Sequence, residues 1–281
     1  MKEPAEAQPR REDRRSSRSC TTKPRQMGLV MAITGLLILL PALQAAAQNG
    51  VWAVQTDAER ADVSFGKTDL VWWTGRLQLS YRAEGKGGVF FTVEHQDRET
   101  MNDTTIIASG YRHLDEDWTL SGQAAVTPNA DFNYKHMGQV EVHRRLVGTL
   151  VGHVGYQYLR FTTATVHLFM PTLTYYHARG EVQVRGFLGR NEDTGHEPRA
   201  VLFRAQHDVT EKLRLHGGVS VGEGIFDITS LAGKAPEGWV VFFNPEFRLT
   251  PKDSIGAVLL RAHEDPDFEK RSLGLYYRRV F

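Results

Sequence analysis

Cysteine is almost missing from this chain: 281 residues contain one, Cys20. That excludes zinc ribbons, disulfide-stapled scaffolds and a cysteine nucleophile. A charge excess is missing too. Lys and Arg total 34 against 33 Asp and Glu, a formal charge of +1, so nothing provides the basic face with which proteins engage nucleic acid, and no nucleic-acid partner is expected. Long apolar runs are also lacking apart from one near the N-terminus. A polytopic helical membrane protein, which needs several runs of roughly 20 apolar residues, is therefore ruled out.

The single apolar run sits in a recognisable context. Residues 1–27 carry eight basic and four acidic side chains, and residues 28–40 are apolar. Pro41 then breaks the run, and the small residues Ala45, Ala46 and Ala47 follow. Positive region, apolar core and small-residue site in that order read as a secretory signal, with cleavage expected after Ala47 in the A-x-A-like site of Ala45 and Ala47, and export by the Sec pathway. A transmembrane anchor is the alternative, but the run is short for a hydrocarbon core of roughly 30 Å. Cys20 precedes the apolar core, where a lipoprotein cysteine would follow it. Without residues 1–47 the chain keeps 34 − 8 = 26 basic and 33 − 4 = 29 acidic residues, and no cysteine.

What remains is dominated by a period of two. Leu77, Leu79 and Tyr81 alternate with Arg76, Gln78, Ser80 and Arg82; Val182, Val184 and Leu188 alternate with Gln183 and Arg185. The same pattern recurs about every ten residues, with polar turns between, and no amphipathic helix interrupts it. Such strands fit a soluble sandwich or a membrane barrel. Three features favour the barrel. The last strand carries Leu273, Leu275 and Tyr277 on one face and ends on Phe281, and it resembles the C-terminal strand of bacterial outer-membrane proteins, whose terminal Phe is read by the barrel-assembly machinery, so Tyr277 and Phe281 are the expected assembly signal. Tyr81, Tyr111, Trp118, Tyr158, Tyr175, Trp239 and Tyr277 fall near strand ends, as girdle aromatics would. Short links near 83–87, 114–117, 147–149, 177–180, 208–212 and 250–253 alternate with longer or more polar ones near 66–71, 97–103, 127–137, 160–164, 189–199, 222–238 and 264–269. The expected fold is all-β: a single transmembrane antiparallel up-and-down barrel of about 14 strands, with about 12 the alternative count. The domain plan is a signal peptide at 1–47, a short periplasmic segment at 48–57 and an outer-membrane barrel at 58–281.

The stretch 155–161 (GYQYLRF) with Val166, Tyr175, Tyr176, Gly180, Val182 and Arg185 resembles the central block of the YaiO-type outer-membrane β-barrel family. Trp72 and Trp73, residues 77–82 and residues 275–278 resemble its first and last strands. The resemblance implies a barrel in the outer membrane of a Gram-negative bacterium. The family brings no established reaction, so no catalytic residue is carried over and no enzyme is expected.

If apolar positions face lipid, their neighbours face the lumen, because a charge on the lipid face costs about 2–4 kcal/mol at mid-membrane. The lumen candidates are Arg76, Arg82, Arg112, Arg145, Arg185, Arg204, Arg214, Arg248 and Arg278, with Glu94, Glu141 and Glu246 and with His143, His153 and His167. Guanidinium forks match carboxylate and phosphate, so an Arg-rich wall suggests a narrow channel or a surface or saccharide-export accessory, with an anionic saccharide or small ion as ligand. Acids such as Asp97, Glu99, Asp103, Glu192 and Glu264 are expected in the outer loops. Three histidines and Glu141 could ligate a transition metal, but polar wall lining is the favoured reading and no metal or cofactor is expected. The alternative function is an outer-membrane enzyme acting on lipid A or phospholipid, although no serine stands in a G-x-S-x-G setting. The glycine-rich segments at 85–88 and 217–224 are not strand–loop–helix phosphate sites. Residues 222–238 form the longest link and the expected constriction of the mouth. A monomer in outer-membrane lipid is expected.

Overall fold

A computed structural model describes residues 50–223 and 237–281. The expected signal peptide and most of the 222–238 link lie outside the described residues. Fourteen strands follow one another: β1 Val51–Phe65, β2 Thr68–Ala83, β3 Gly87–Arg98, β4 Met101–His113, β5 Trp118–Val126, β6 His136–Val147 and β7 Leu150–Arg160. The second half comprises β8 Thr165–His177, β9 Gly180–Asn191, β10 Arg199–Asp208, β11 Leu213–Glu223, β12 Glu237–Arg248, β13 Asp253–Glu264 and β14 Phe268–Val280. Each pairs antiparallel with its neighbours in sequence, and β1 closes on β14 from Ala53↔Val280 to Phe65↔Phe268. Closure leaves no free sheet edge, so every backbone ladder is satisfied where water is excluded.

The period of two becomes two faces. On the outside, Val89, Phe91, Leu188, Phe203, Leu259 and Leu275 are exposed, Leu275 by 64%. A soluble protein would bury such a band; lipid is its solvent here. The inner face carries Gln78, Thr92, Ser80, Thr172, Thr174 and Gln183, several of them buried and hydrogen-bonded across strands, as in Gln78 to Thr92 at 3.1 Å and Gln183 to Thr174 at 2.9 Å.

Two boundaries differ from expectation. The first strand begins at Val51, so residues 51–57 belong to the barrel wall rather than to a lead segment. The links at 66–67 and 99–100 are tight turns, built on Gly66 at φ 60° and Glu99 at φ 61°. Polar residues such as Asp69 and Asn102 continue the ladder beyond the apolar band, because strand pairing needs backbone partners and not apolar side chains. Length therefore alternates less regularly than the sequence suggests. The end where β1 begins and β14 finishes is called the near rim below, and the opposite end the far rim.

An apolar core sits inside the wall, toward the far rim. Ala125, Met137, Leu159, Val166, Leu168 and Met170 face inward and pack with Tyr134 and Phe161. Tyr134 belongs to the β5–β6 link, residues 127–135, where Phe132, Asn133 and Tyr134 are all buried. This link is folded into the lumen.

Candidate functional site

Antiparallel partners share a face, so the register sorts every candidate side chain. Starting from the pair Arg76↔Glu94, the inward rows include Arg82, Glu141, His143, Arg145, His153, Arg185, Arg204, Arg214, Glu246, Arg248 and Arg278. Arg112 and His167 are corrections. Arg112 pairs with Gly87 and Leu120 on the outer face, one residue from the end of β4, where a long cation reaches water. His167 pairs with Tyr158 and Arg190, and its Nε2 lies 3.0 Å from Glu192 at the far rim. Both differ from the expected inward face for the same physical reason: near a rim, outward positions become polar, and polarity stops reporting the face. The girdle is confirmed at Tyr81, Trp118, Tyr158, Tyr175, Trp239 and Tyr277, whereas Tyr111 pairs with Gly88 and Ser121 and faces inward.

The wall is less cationic than the candidate set implied. Asp57, Glu59, Glu181 and Asp208 also face inward, and three of the four stand beside arginines. Arg76 binds Glu94 through Nε at 2.8 Å and Nη2 at 2.5 Å, with Asp57 as the register partner of Arg76 on β1. Arg185 donates to Glu141 at 3.1 Å and to Thr172 at 2.9 Å. Arg204 reaches Glu181 at 3.1 Å, and Arg214 holds Asp208 with both nitrogens, at 2.6 and 3.1 Å. Tyr276 donates to Glu246 at 3.0 Å. Alternating charges thus run around the lumen. The more exposed of these pairs, such as Arg214–Asp208, contribute about 0–1 kcal/mol, so there the belt sets electrostatics more than stability. Arg82, Arg248 and Arg278, inward near the near rim, are in no ion pair among the described residues.

Asp103, expected in an outer loop, is instead 1% exposed on the inner face of β4. Its Oδ1 accepts the amide of Asp131 at 2.7 Å, and its Oδ2 accepts those of Phe132 and Asn133 at 3.2 and 2.7 Å. Asn133 Nδ2 donates to Thr105 at 3.1 Å, and Arg98 lies 3.9 Å over the Phe132 ring and 4.0 Å over Trp72. Burial pushes the Tyr134 hydroxyl up to about 12, and the nearby Glu94 charge adds to this while Arg76 opposes it. The constriction seen in the described residues is therefore 127–135. Glu264, also assigned to a loop, is an inward residue at the end of β13, 4% exposed.

On the β5–β9 arc the register row His143↔His153↔Thr172↔Arg185 lies beside the row Ser121↔Glu141↔Gly155. Glu141, His143 and His153 converge: one ligand atom from each lies within 4.8 Å of the others. Gly155 gives Glu141 its space, since a Cβ there would meet Glu141 Cγ at 2.8 Å. Ser121 Oγ is 2.9 Å from His143 Nε2. Glu141 Oε2 approaches that same nitrogen at 3.7 Å. A hydrolase triad places its carboxylate on the other ring nitrogen, so this constellation lacks the orienting contact, and it faces the lumen rather than lipid.

A closed antiparallel barrel with an apolar exterior, a charged interior and aromatic rims is a membrane-spanning barrel of the outer-membrane class. Its sequence matches the YaiO membrane beta barrel domain over residues 52–221, and the chain belongs to that family. No curated protein matches it. Among solved structures it resembles the CymD monoaromatic hydrocarbon channel, with a TM-score of 0.55 at 10% identity over 87% of this chain and 92% of that one. The Acinetobacter baumannii outer membrane protein Omp33 gives a TM-score of 0.51 at 16% identity, over 83% and 100% of the two chains. Pseudomonas aeruginosa OccK7 gives 0.51 at 10% identity, over 84% and 99%. These likenesses are of the barrel fold.

Proposed function

We propose that this barrel is a narrow outer-membrane channel for small polar solutes, with anions favoured at the near rim. The observation that carries the reading is the charge belt at mid-wall, from Asp57, Arg76 and Glu94 to Arg204 and Glu181. Ionised side chains at membrane depth face a water-filled cavity, since the alternative is their desolvation. Paired charges leave little selectivity at mid-depth. Arg82, Arg248 and Arg278 supply it lower down, where guanidinium groups suit phosphate, carboxylate and anionic saccharides. The inserted 127–135 link makes the far half narrow.

The test is reconstitution in planar bilayers under a salt gradient. The parent should conduct with an anion-favouring reversal potential, and R82A/R278A should lose that preference while still conducting. Silence of both the parent and a variant with the link released would overturn the channel reading.

A further inference from the structure

The convergence of Glu141, His143 and His153 has an unusual member. His153 is 7% exposed, and neither its Nδ1 nor its Nε2 has a hydrogen-bond partner. A neutral imidazole has one donor and one lone pair to satisfy, and a buried polar atom with neither is costly. Its ring lies 4.2 Å between centroids from that of His143 and tilted 46° to it, and one nitrogen of each ring lies within 4.8 Å of a Glu141 carboxylate oxygen. That carboxylate is itself held: Gln139 donates to Oε1 at 2.7 Å and Arg185 to Oε2 at 3.1 Å. Outer partners of this type orient a ligating carboxylate while leaving lone pairs available. Ser121 can rotate its hydroxyl hydrogen away from His143 and free the Nε2 lone pair.

From this geometry we infer that Glu141, His143 and His153 form a transition-metal site in the lumen wall, with zinc the first candidate. Two imidazoles and one carboxylate suit zinc, copper or nickel; magnesium and calcium prefer all-oxygen shells. Three protein ligands leave a fourth position open to the lumen, for water or a passing anion. The ion would satisfy the orphaned His153 nitrogen and offset the Glu141 charge shared with Arg185. His167, the third histidine of the sequence expectation, is on the outer face and takes no part.

The test uses the tag-free, detergent-folded full chain, with heat-modifiable gel mobility confirming each fold. Titration calorimetry with zinc chloride should give one ion per barrel. Replacement by H143A or H153A should weaken binding roughly 100-fold or more, beyond the 10- to 100-fold typical of losing an outer partner. H167A and H216A should bind as the parent does, and excess magnesium should not compete. If H153A does not fold, cobalt added to the parent decides: intense visible bands of a four-coordinate nitrogen and oxygen site are expected, and the pale aquo-ion spectrum counts against the site. Absence of stoichiometric binding by the parent, or binding that survives H143A/H153A, overturns the inference.

Discussion

Replacing Asp103 by alanine should release the 127–135 link from the lumen. Three amide N–H groups end on this carboxylate, at 2.7, 3.2 and 2.7 Å, in a site that is 1% exposed. If the link stayed in place in D103A, those donors would be buried without partners, at about 1 kcal/mol or more each, so about 3 kcal/mol is a lower bound. Apolar burial does not make up the loss. Phe132 and Tyr134 contribute about 1.5–3 kcal/mol each. Ordering residues 127–135 costs about 1 kcal/mol or more per residue, which exceeds the aromatic contribution. The carboxylate therefore decides the balance, and 3 kcal/mol is about a 100-fold shift toward the released link. Lys135 lies in this link and offers trypsin a site. Where opening is fast relative to cleavage, the cutting rate follows the open population. Cleavage after Lys135 should accelerate about 100-fold in D103A and hardly at all in D131A, which keeps its backbone amide. Equal cleavage rates in D103A and the parent, with barrel mobility intact, would refute the assignment.

Three further outcomes follow from the same geometry. Removing the cation of a near-rim pair should shift selectivity in the same direction as removing the unpaired rim arginines: R214A leaves Asp208 uncompensated and should move the reversal potential toward cations. High pH should also release the link. The Tyr134 hydroxyl is raised from 10 to about 12 in place, so docking is intact below about pH 10 and weakens as pH rises toward 12; a spin label on the link should gain mobility over that window in the parent and not in Y134F. On the lipid face, L275R should destabilise the folded barrel by about 2–4 kcal/mol in urea titration in lipid, since Leu275 lies on the outer face, 64% exposed to the surrounding solvent.

The faces of the strands were legible because alternation survives wherever lipid demands it. Every outward set read from the sequence, from Leu77 and Leu79 to Leu273 and Leu275, lies on the outer face, and so the opposite set faces the lumen. Legibility failed in three physical situations. At the rims, water replaces lipid and polarity no longer marks the inside, which misplaced Arg112 and His167. At the start, Gln55 and Asp57 lie on the inner face of β1, and polar wall residues with little apolar contrast resembled a lead segment. In the β5–β6 link, nothing local distinguishes an inserted loop from an exposed one; the decisive residue, Asp103, is about thirty positions away. The acids Glu181 and Asp208 could have been found, for they share the alternation of Arg185 and Arg204 on β9 and β10.

Period two says which face a side chain takes, but not which neighbours it meets, and the chemistry of this lumen depends on neighbours. Arg185 reads in sequence as one of nine lumen cations. In the barrel it bridges Thr172 and Glu141, and the field it presents to a solute is that of a pair. His143 and His153 are ten residues apart in sequence and become direct register partners because the β6–β7 turn spans 148–149 and a bulge at Leu146 shifts the pairing by one residue. A one-residue slip of β7 would send His153 to the lipid face and bring Gly152 or Val154 opposite His143. It would dissolve the cluster without altering a single residue. The same slip would carry Val154 and Tyr156 inward, where the apolar exterior could no longer hold it in lipid. Lipid therefore fixes the register, and the register assembles Glu141, His143 and His153.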